Sequence, residues 1–300
     1  TDWGNQTVIT EFILLGFREL RDLQILLFLL FLVIYLATVA GNSLIVTLIV
    51  ADQHLHSPMY FFLGNLSCLE TCYSSTILPR LLAGLLTGDR AISVSGCLTQ
   101  LFFFGAMAST ECYLLAVIPH YSALMNTRFS LQLAAGTWIN GCLAIAVFMY
   151  FMSQSAFCGL NEIDHFYCDP IPLIKLSCRD THLIVILDFI FSFLFTLPPF
   201  LLTLTSYICI IATILRIPST TGRQKAFSTC SSHLIVVTLF YGTLMSVVIL
   251  PTLTNLRVLN KVLSLCYTVL TPLVNPLIYS LRNREVREAL SKAINPLSPP

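Results

Sequence analysis

Three acidic side chains, Glu70, Glu111 and Asp188, lie within long apolar stretches of this sequence. A carboxyl group inside a membrane-spanning stretch costs about 2.5 to 3.5 kcal/mol, so each one requires a partner or a purpose. Glu70 and Glu111 lie near the middle of their stretches, at depths that would bring them together. Two close carboxyl groups share a proton or hold a cation. The alternative is one neutral, hydrogen-bonded acid on each helix.

Asp188 lies nearer one end of its apolar stretch than the other two acids. This position predicts either an interfacial group that reaches water or a polar group at the mouth of a ligand pocket. A second set of residues, separated by short steps that keep them on one helix face, predicts a wall of such a pocket. The set is Phe104, Gly105, Ala108, Ser109 and Cys112. The alternative interpretation is that these residues only pack one helix against another.

A pocket of this kind is mostly apolar, and hydroxyl groups are its orienting donors. It therefore favours a small volatile or otherwise apolar ligand. The third apolar stretch offers no acid in the pocket wall that would anchor an amine.

The elements that must position these residues are membrane helices. Hydrophobic residues make up 56% of the 300 residues and charged residues 10%, and the mean hydropathy is +0.82. A spanning helix needs about 20 mostly apolar residues, because its backbone must be satisfied internally in lipid. The sequence therefore predicts an all-α polytopic membrane protein, a single domain over residues 1–300. Its seven spans are predicted at about 24–50, 58–82, 96–118, 131–152, 183–214, 227–251 and 260–281.

Basic residues divide evenly between the two predicted sides of the membrane, so they do not indicate the orientation of the spans. The cysteine positions do. Cys97 begins the third span, and Cys158, Cys168 and Cys178 lie between the fourth and fifth. Disulfides persist in oxidising compartments, so this side is predicted to be extracellular, and three pairings of the four cysteines remain open. Residues 1–23 are then outside, with a glycosylation sequon at Asn5, and residues 282–300 form a cytoplasmic tail.

Three motifs identify a family. They are Pro58-Met-Tyr-Phe-Phe-Leu63, Lys225-Ala-Phe-Ser-Thr-Cys-Ser-Ser-His-Leu234 and Pro272-Leu-Val-Asn-Pro-Leu-Ile-Tyr-Ser-Leu-Arg-Asn283. With them the chain closely resembles the olfactory (odorant) receptors, a branch of the rhodopsin-like G-protein-coupled receptors. The resemblance implies a seven-helix bundle in the plasma membrane. It also implies a small volatile or apolar ligand and a heterotrimeric G protein of the stimulatory olfactory type as partners.

The resemblance also implies roles for individual residues. Further pocket residues are expected on the fifth and sixth spans: Phe191, Ser192, Phe195, Tyr241, Val248 and Thr252. The disulfides are expected to join Cys97 to Cys168 and Cys158 to Cys178, with Cys97–Cys178 as the competing pair. A sodium ion is expected between Glu70 and Glu111, although the family commonly has Asp at the first position. An activation switch is expected to involve Tyr207, Asn275, Pro276 and Tyr279.

One segment of the family pattern is absent. Odorant receptors ordinarily continue after Leu114-Leu115-Ala116-Val117 with Met-Ala-Tyr-Asp-Arg-Tyr, whereas this chain passes directly to Ile118-Pro119-His120-Tyr121, so about eleven or twelve residues are missing. The arginine that meets the G protein in this family is missing with them. The shortened third helix can still cross a bilayer, but the loss of about three turns predicts a packing void. We therefore expect impaired folding, export or G-protein coupling.

Other classes of protein fit the sequence less well. One alternative is a receptor-derived product that cannot signal. A channel or transporter would show internal repeats or paired broken helices, and the sequence has neither. An enzyme is not expected, because the six histidines do not share a helix face with metal-binding spacing. A net charge of +1 without a Lys/Arg run argues against a nucleic-acid partner.

Overall fold

The computed structural model describes residues 9–119, 127–158, 160–216, 218–253 and 257–294. Asn5 and His120 lie outside these ranges. Long helices dominate the described chain: α1 (Gln24–Ala51), α2 (Pro58–Thr87), α3 (Val94–Val117), α4 (Thr127–Ser153), a short α5 (Pro170–Lys175), α6 (His182–Leu215) and α7 (Thr220–Leu253). The last long rod is continuous but changes pitch. It runs from α8 (Arg257–Leu265) through a π-helical turn (Cys266–Leu270) into α9 (Thr271–Arg282), and α10 (Arg284–Ile294) follows.

Local sequence explains several helix ends. Pro58 occupies the first turn of α2, where its missing N–H costs nothing. Gly88 ends that helix in the left-handed region, at a φ of 75°, which a side chain would disfavour. The Ser93 hydroxyl accepts a hydrogen bond from the Gly96 N–H and caps α3. The Asn283 side chain caps α10 by accepting from the N–H groups of Glu285 and Val286, at 3.0 and 3.2 Å.

The helices form a bundle with α3 at its centre. Helix α3 packs against α2, α4 and α6, while α9 packs against α1 and α7. The interior is aromatic and aliphatic, with Tyr60, Phe62, Tyr73 and Phe240 almost fully buried. The outer surfaces are apolar as well: on α1, Ile25 is 77% exposed and Val50 is 73% exposed. Apolar surface on both sides of a helix is typical of a bundle whose solvent is lipid.

Five helical segments of the described chain are long and apolar enough to cross a membrane by length and composition. They are Arg18–Ala51, Val94–Val117, Arg128–Ser153, His182–Leu215 and Val258–Leu281. Helix α2 is not among these segments, and α7 contributes only the shorter apolar stretch His233–Val248. Both helices nevertheless pack into the bundle beside the apolar ones.

One end of the bundle, here named the capped end, carries a small sheet. Strand β1 (Glu11–Leu14) lies between β2 (Ala91–Ser93) and β3 (Glu162–Ile163). It pairs antiparallel with β2, where Phe12 lies opposite Ile92, and parallel with β3. The all-α prediction did not include this sheet, because strands of two to four residues leave no periodic signal in a sequence. The other end, named the opposite end, carries the end of α3 and helix α10.

Two disulfides strengthen the capped end. Cys97 at the start of α3 is bonded to Cys168, and Cys158 is bonded to Cys178, with Cα–Cα distances of 5.5 and 5.8 Å. This is the pairing that the resemblance implies, and the competing Cys97–Cys178 bond is not formed. The first bond fixes the segment before α5 above α3. The seven remaining cysteines are free.

Candidate ligand cavity

A cavity of about 180 Å³ lies inside the bundle near the capped end. Its walls come from α3, α4, α6 and α7, the segment before α5 forms its roof, and Tyr267 of the π-helical turn closes one side. Nine of the eleven predicted pocket residues line it: Phe104, Gly105, Ala108, Ser109, Cys112, Phe191, Ser192, Phe195 and Val248. Asp188 also lines the cavity, which agrees with the pocket interpretation of this residue. The predicted face of α3 therefore borders an open volume.

Tyr241 does not line the cavity. Its ring is buried 5.4 Å from that of Phe200, and its hydroxyl donates a 2.7 Å hydrogen bond to the carbonyl of Cys112. Tyr241 thus holds α7 against α3 outside the cavity, because this hydrogen bond joins the two helices. The side chain of Thr252 lies outside the described residues.

Sequence reasoning missed two walls of the cavity and several single residues. One wall is the face of α4 that carries Ala144, Ile145 and Phe148, and the other is the roof formed by Tyr167, Asp169 and Pro170. The single residues are Thr196, Leu244, Val247 and Tyr267. Nothing in the periodicity of α4 distinguishes this face from its lipid-facing one. The roof carried a signal, however, because a bond from Cys168 to the first turn of α3 must pull its neighbours over the pocket.

Hydrogen bonds hold the roof in place. The Cys168 N–H donates to Gln100 Oε1 at 2.9 Å, and the Tyr167 hydroxyl donates to Asp169 Oδ2 at 2.9 Å. The Ile171 N–H donates to Asp169 Oδ1 at 3.1 Å and begins α5. Burial, together with the nearby Asp169 carboxylate, raises the pKa of the Tyr167 hydroxyl well above its usual range, so it remains a donor at neutral pH. The roof is thus a fixed structure.

A buried lysine ties the roof to two other elements. Lys261 of α8 is only 7% exposed, and its Nζ lies 2.6 Å from Asp164 Oδ1 and 3.7 Å from Glu19 Oε1. The same Nζ donates a 3.0 Å hydrogen bond to the Gly16 carbonyl. The N-terminal segment, the roof and the last rod therefore meet at one ammonium group, which we name the Lys261 clasp.

His165 lies beside the clasp within the roof. Its ring stacks on Phe166 at 4.7 Å and meets Tyr167 edge-on at 4.5 Å. Neither ring nitrogen has a hydrogen-bond partner among the described residues. Burial lowers the pKa of His165 to about 4, and Lys261 acts in the same direction, while Asp169 and Asp164 oppose the change. The imidazole is therefore neutral at physiological pH.

The two central acids, Glu70 and Glu111, are both 1% exposed and interact electrostatically. The Asn275 amide donates a hydrogen bond to Glu70 Oε1. Glu111 Oε1 has no partner within the described ranges. Two carboxyl groups and an amide offer the hard oxygen donors that suit a sodium ion, so these residues fit the expected ion. In the described chain no group of three or more His, Cys, Asp or Glu side chains could hold a metal.

The predicted switch residues lie towards the opposite end. Tyr207 and Tyr279 are buried, and both line a small cavity of about 40 Å³ together with Ile118, Pro119 and His233. The Tyr207 hydroxyl is hydrogen-bonded to Nδ1 of His233, a partner that sequence reasoning missed. The Tyr279 hydroxyl has no partner in the part of the chain that the structure describes.

Pro276 of the switch region packs closely on α1. A side chain at Gly41 would approach Pro276 Cγ to 3.2 Å, so a glycine at this position permits the contact. Asn275 is also held here, by its bond to Glu70. Asn275 and Pro276 are thus packed against the first two helices of the bundle, whereas Tyr207 contacts His233 of α7.

Comparison with known proteins identifies a family and a solved structure that this chain resembles. The olfactory receptor family profile matches residues 31–296. The chain is 44% identical to olfactory receptor 5AP2 of Mus musculus, over 97% of this chain and 95% of that protein. It is 47% identical to olfactory receptor 10A5 of Homo sapiens, over 97% of this chain and 96% of that one. Squid rhodopsin superposes with a TM-score of 0.68 at 15% identity, over 91% of this chain and 86% of the rhodopsin, which shows a shared fold.

The alignments also contain positions that this chain lacks. The alignment with the Mus musculus receptor runs over 302 positions but includes only 97% of the 300 residues, so about eleven positions have no counterpart here. The motifs, the bundle, the family profile and the relatives agree on the identity. This chain is a multi-pass membrane protein that belongs to the olfactory receptor family.

Proposed function

We propose that this chain is an odorant receptor of the plasma membrane, with its capped end outside the cell. It binds a small, mostly apolar molecule in the 180 Å³ cavity below the roof. The observation that carries the proposal is this cavity, which is bordered by side chains from four helices. Its volume is close to the roughly 150 Å³ of cavities that bind benzene, so it suits a molecule of that size. The disulfides of the roof support the orientation, because such bonds persist in oxidising compartments.

Two matched substitutions test the binding site. Ala108→Leu adds bulk to a residue that lines the cavity, whereas Ala135→Leu makes the same change on an exposed face of α4. We expect Ala108→Leu to weaken binding of benzene-sized odorants at least tenfold by occupying their space, and Ala135→Leu to leave binding unchanged. The measurement is direct binding to receptor reconstituted in lipid nanodiscs. Equal affinities in the two variants would rule out this cavity.

The partner on the opposite side is a heterotrimeric G protein of the stimulatory olfactory type, and we propose that coupling to it is impaired. Helix α3 ends at Val117, so the family's Asp-Arg-Tyr segment has no counterpart at its end. The roughly eleven alignment positions without a counterpart support this interpretation. The second candidate is therefore a receptor-derived product that binds ligand but does not signal.

Reinsertion of the segment distinguishes these two candidates. Cells would express either the chain as it stands or a variant with the family segment restored after Val117, each with an N-terminal surface tag. We expect odorant-dependent cyclic AMP only in the restored variant, at matched surface labelling of intact cells. Robust cyclic AMP production from the unaltered chain would overturn the coupling proposal. A tag that is reached only after permeabilisation would overturn the orientation.

We propose further that Glu70 and Glu111 hold a sodium ion. The unpartnered, buried Oε1 of Glu111 supports this proposal, because a bound cation would satisfy it. Sodium, compared with choline at equal ionic strength, should then raise the unfolding temperature, and Glu70→Gln with Glu111→Gln should abolish the difference. A sodium effect that survives the double substitution would favour two neutral acids.

A further inference from the structure

One carboxylate in the ligand cavity has no partner in the part of the chain that the structure describes. Asp188 lines the cavity from α6, near the capped end, and makes no hydrogen bond or ion pair with any described residue. The lining includes a second acid, Asp169, but its two oxygens are already used by the Tyr167 hydroxyl and the Ile171 N–H. Asp188 is therefore the acid that remains available to a ligand.

The charge of the cavity is one-sided. Among the described residues, its lining contains two acids and no lysine, arginine or histidine. Acids that line a low-dielectric cleft raise the local concentration of cations and disfavour anions. An acid within a spanning helix is also costly unless a partner compensates for it. The structure supplies no such partner among the described residues, so the missing positive group is expected to arrive with the ligand.

We propose that the preferred ligand is a small apolar amine, whose ammonium group pairs with Asp188 while its hydrocarbon part fills the space beside Phe104, Phe148 and Val248. This inference rests on the proposed function, because it uses the same cavity and adds the chemical class of the odorant. An amine of ordinary basicity is protonated near neutral pH, so it carries the required charge. The third helix offers no acid in the pocket wall, and Asp188 on α6 takes that role.

Three ligands of one shape test the inference: cyclohexylamine, cyclohexanol and cyclohexanecarboxylate. Their binding would be measured by equilibrium dialysis against receptor in nanodiscs, so the result does not depend on G-protein coupling. Because hydrogen bonds to charged groups are stronger than neutral ones, we expect the amine to bind about 10- to 100-fold more tightly than the alcohol. The carboxylate should bind more weakly than the alcohol.

Substitutions then locate the anchor. Asp188→Asn should remove the preference for the amine and leave cyclohexanol binding unchanged, whereas Asp188→Glu should retain the preference. The matched control is Asp180→Asn, which removes the same charge from an exposed residue just before α6. Retained cyclohexanol binding shows that Asp188→Asn is folded. A preference that persists in Asp188→Asn, or is lost in Asp180→Asn or Asp169→Asn instead, would overturn the assignment.

The outcomes separate this inference from the proposed function. If cyclohexanol binds, Ala108→Leu weakens that binding and the amine is not preferred, the amine inference is contradicted, but the proposed odorant cavity is supported. If neither these three ligands nor a wider panel of uncharged odorants binds, the proposed function fails, and the inference fails with it.

Discussion

The two ends of the bundle are held together in different ways. At the capped end, two disulfides, a three-stranded sheet and the Lys261 clasp connect segments that are far apart in the chain. At the opposite end, the connections among the described residues include hydrogen bonds between side chains, such as those of the Tyr60 hydroxyl to Asn283 at 3.1 Å and to Glu285 at 2.8 Å, and that of Tyr207 to His233. The capped end is thus cross-linked, while the opposite end depends on helix packing.

This difference determines what the shortened α3 should affect. We infer that the segment is missing after Val117, at the end that has no covalent cross-link among its described residues, whereas the ligand cavity lies below the cross-linked roof. Ligand binding and G-protein coupling are therefore expected to be separable in this chain. The predictions below test whether the capped end carries the larger share of stability.

The largest effect is expected from the bond between α3 and the roof. Changing Cys97 and Cys168 together to Ser frees a loop with a sequence separation of 71 residues, against 20 for the Cys158–Cys178 bond. Chain entropy then predicts a loss of about 4 kcal/mol for the first pair and about 3 kcal/mol for the second. Thermal unfolding in detergent measures both losses. The control is Cys142→Ser, a free, exposed cysteine, and an equal effect from it would contradict the prediction.

A smaller loss is expected from the clasp. Lys261→Met leaves the Asp164 carboxylate without its ammonium partner, and breaking a buried pair of this kind costs about 3 kcal/mol. The expected loss lies at the lower end of the usual range because the Asp164 side chain is 34% exposed. Arg284→Gln removes an exposed pair with Glu288 at the opposite end and should leave the unfolding temperature unchanged. Equal shifts in the two variants would remove the distinction between the ends.

The smallest effect is a pH dependence at His165. Its pKa of about 4 in the folded chain lies below the ordinary 6.5, so between these values the unfolded chain binds a proton that the folded chain does not. Stability is therefore full above pH 6.5 and falls as the pH is lowered, by about 2 kcal/mol at pH 5. His165→Phe should remove this component, while His56→Gln on the surface should not. A pH dependence that is unchanged in His165→Phe would exclude the imidazole as its source.

Hydropathy located the helices better than it located their ends. The fifth span was predicted at about 183–214, and α6 covers His182–Leu215. The second was predicted to end near residue 82, but α2 continues to Thr87, and Gly88 in the left-handed region ends it. The helix that begins at Thr220 likewise precedes the predicted start near 227, through polar residues that hydropathy excludes. Helices α2 and α7 thus include polar residues outside their apolar stretches, and hydropathy does not detect these ends.

The amino-acid sequence alone determined the class of the molecule, the family and one face of the pocket. Apolar stretches in lipid must form helices, and short steps along α3 put Phe104, Ala108 and Cys112 on one side. Only the tertiary structure decided which other surfaces meet that face. It brought Phe148 of α4, the roof residue Tyr167 and the acid Asp188 to one cavity, and it buried Lys261 beside Asp164. Sequence periodicity predicts which residues share one face of a helix. The element that packs against that face is determined by contacts between residues that are distant in the chain.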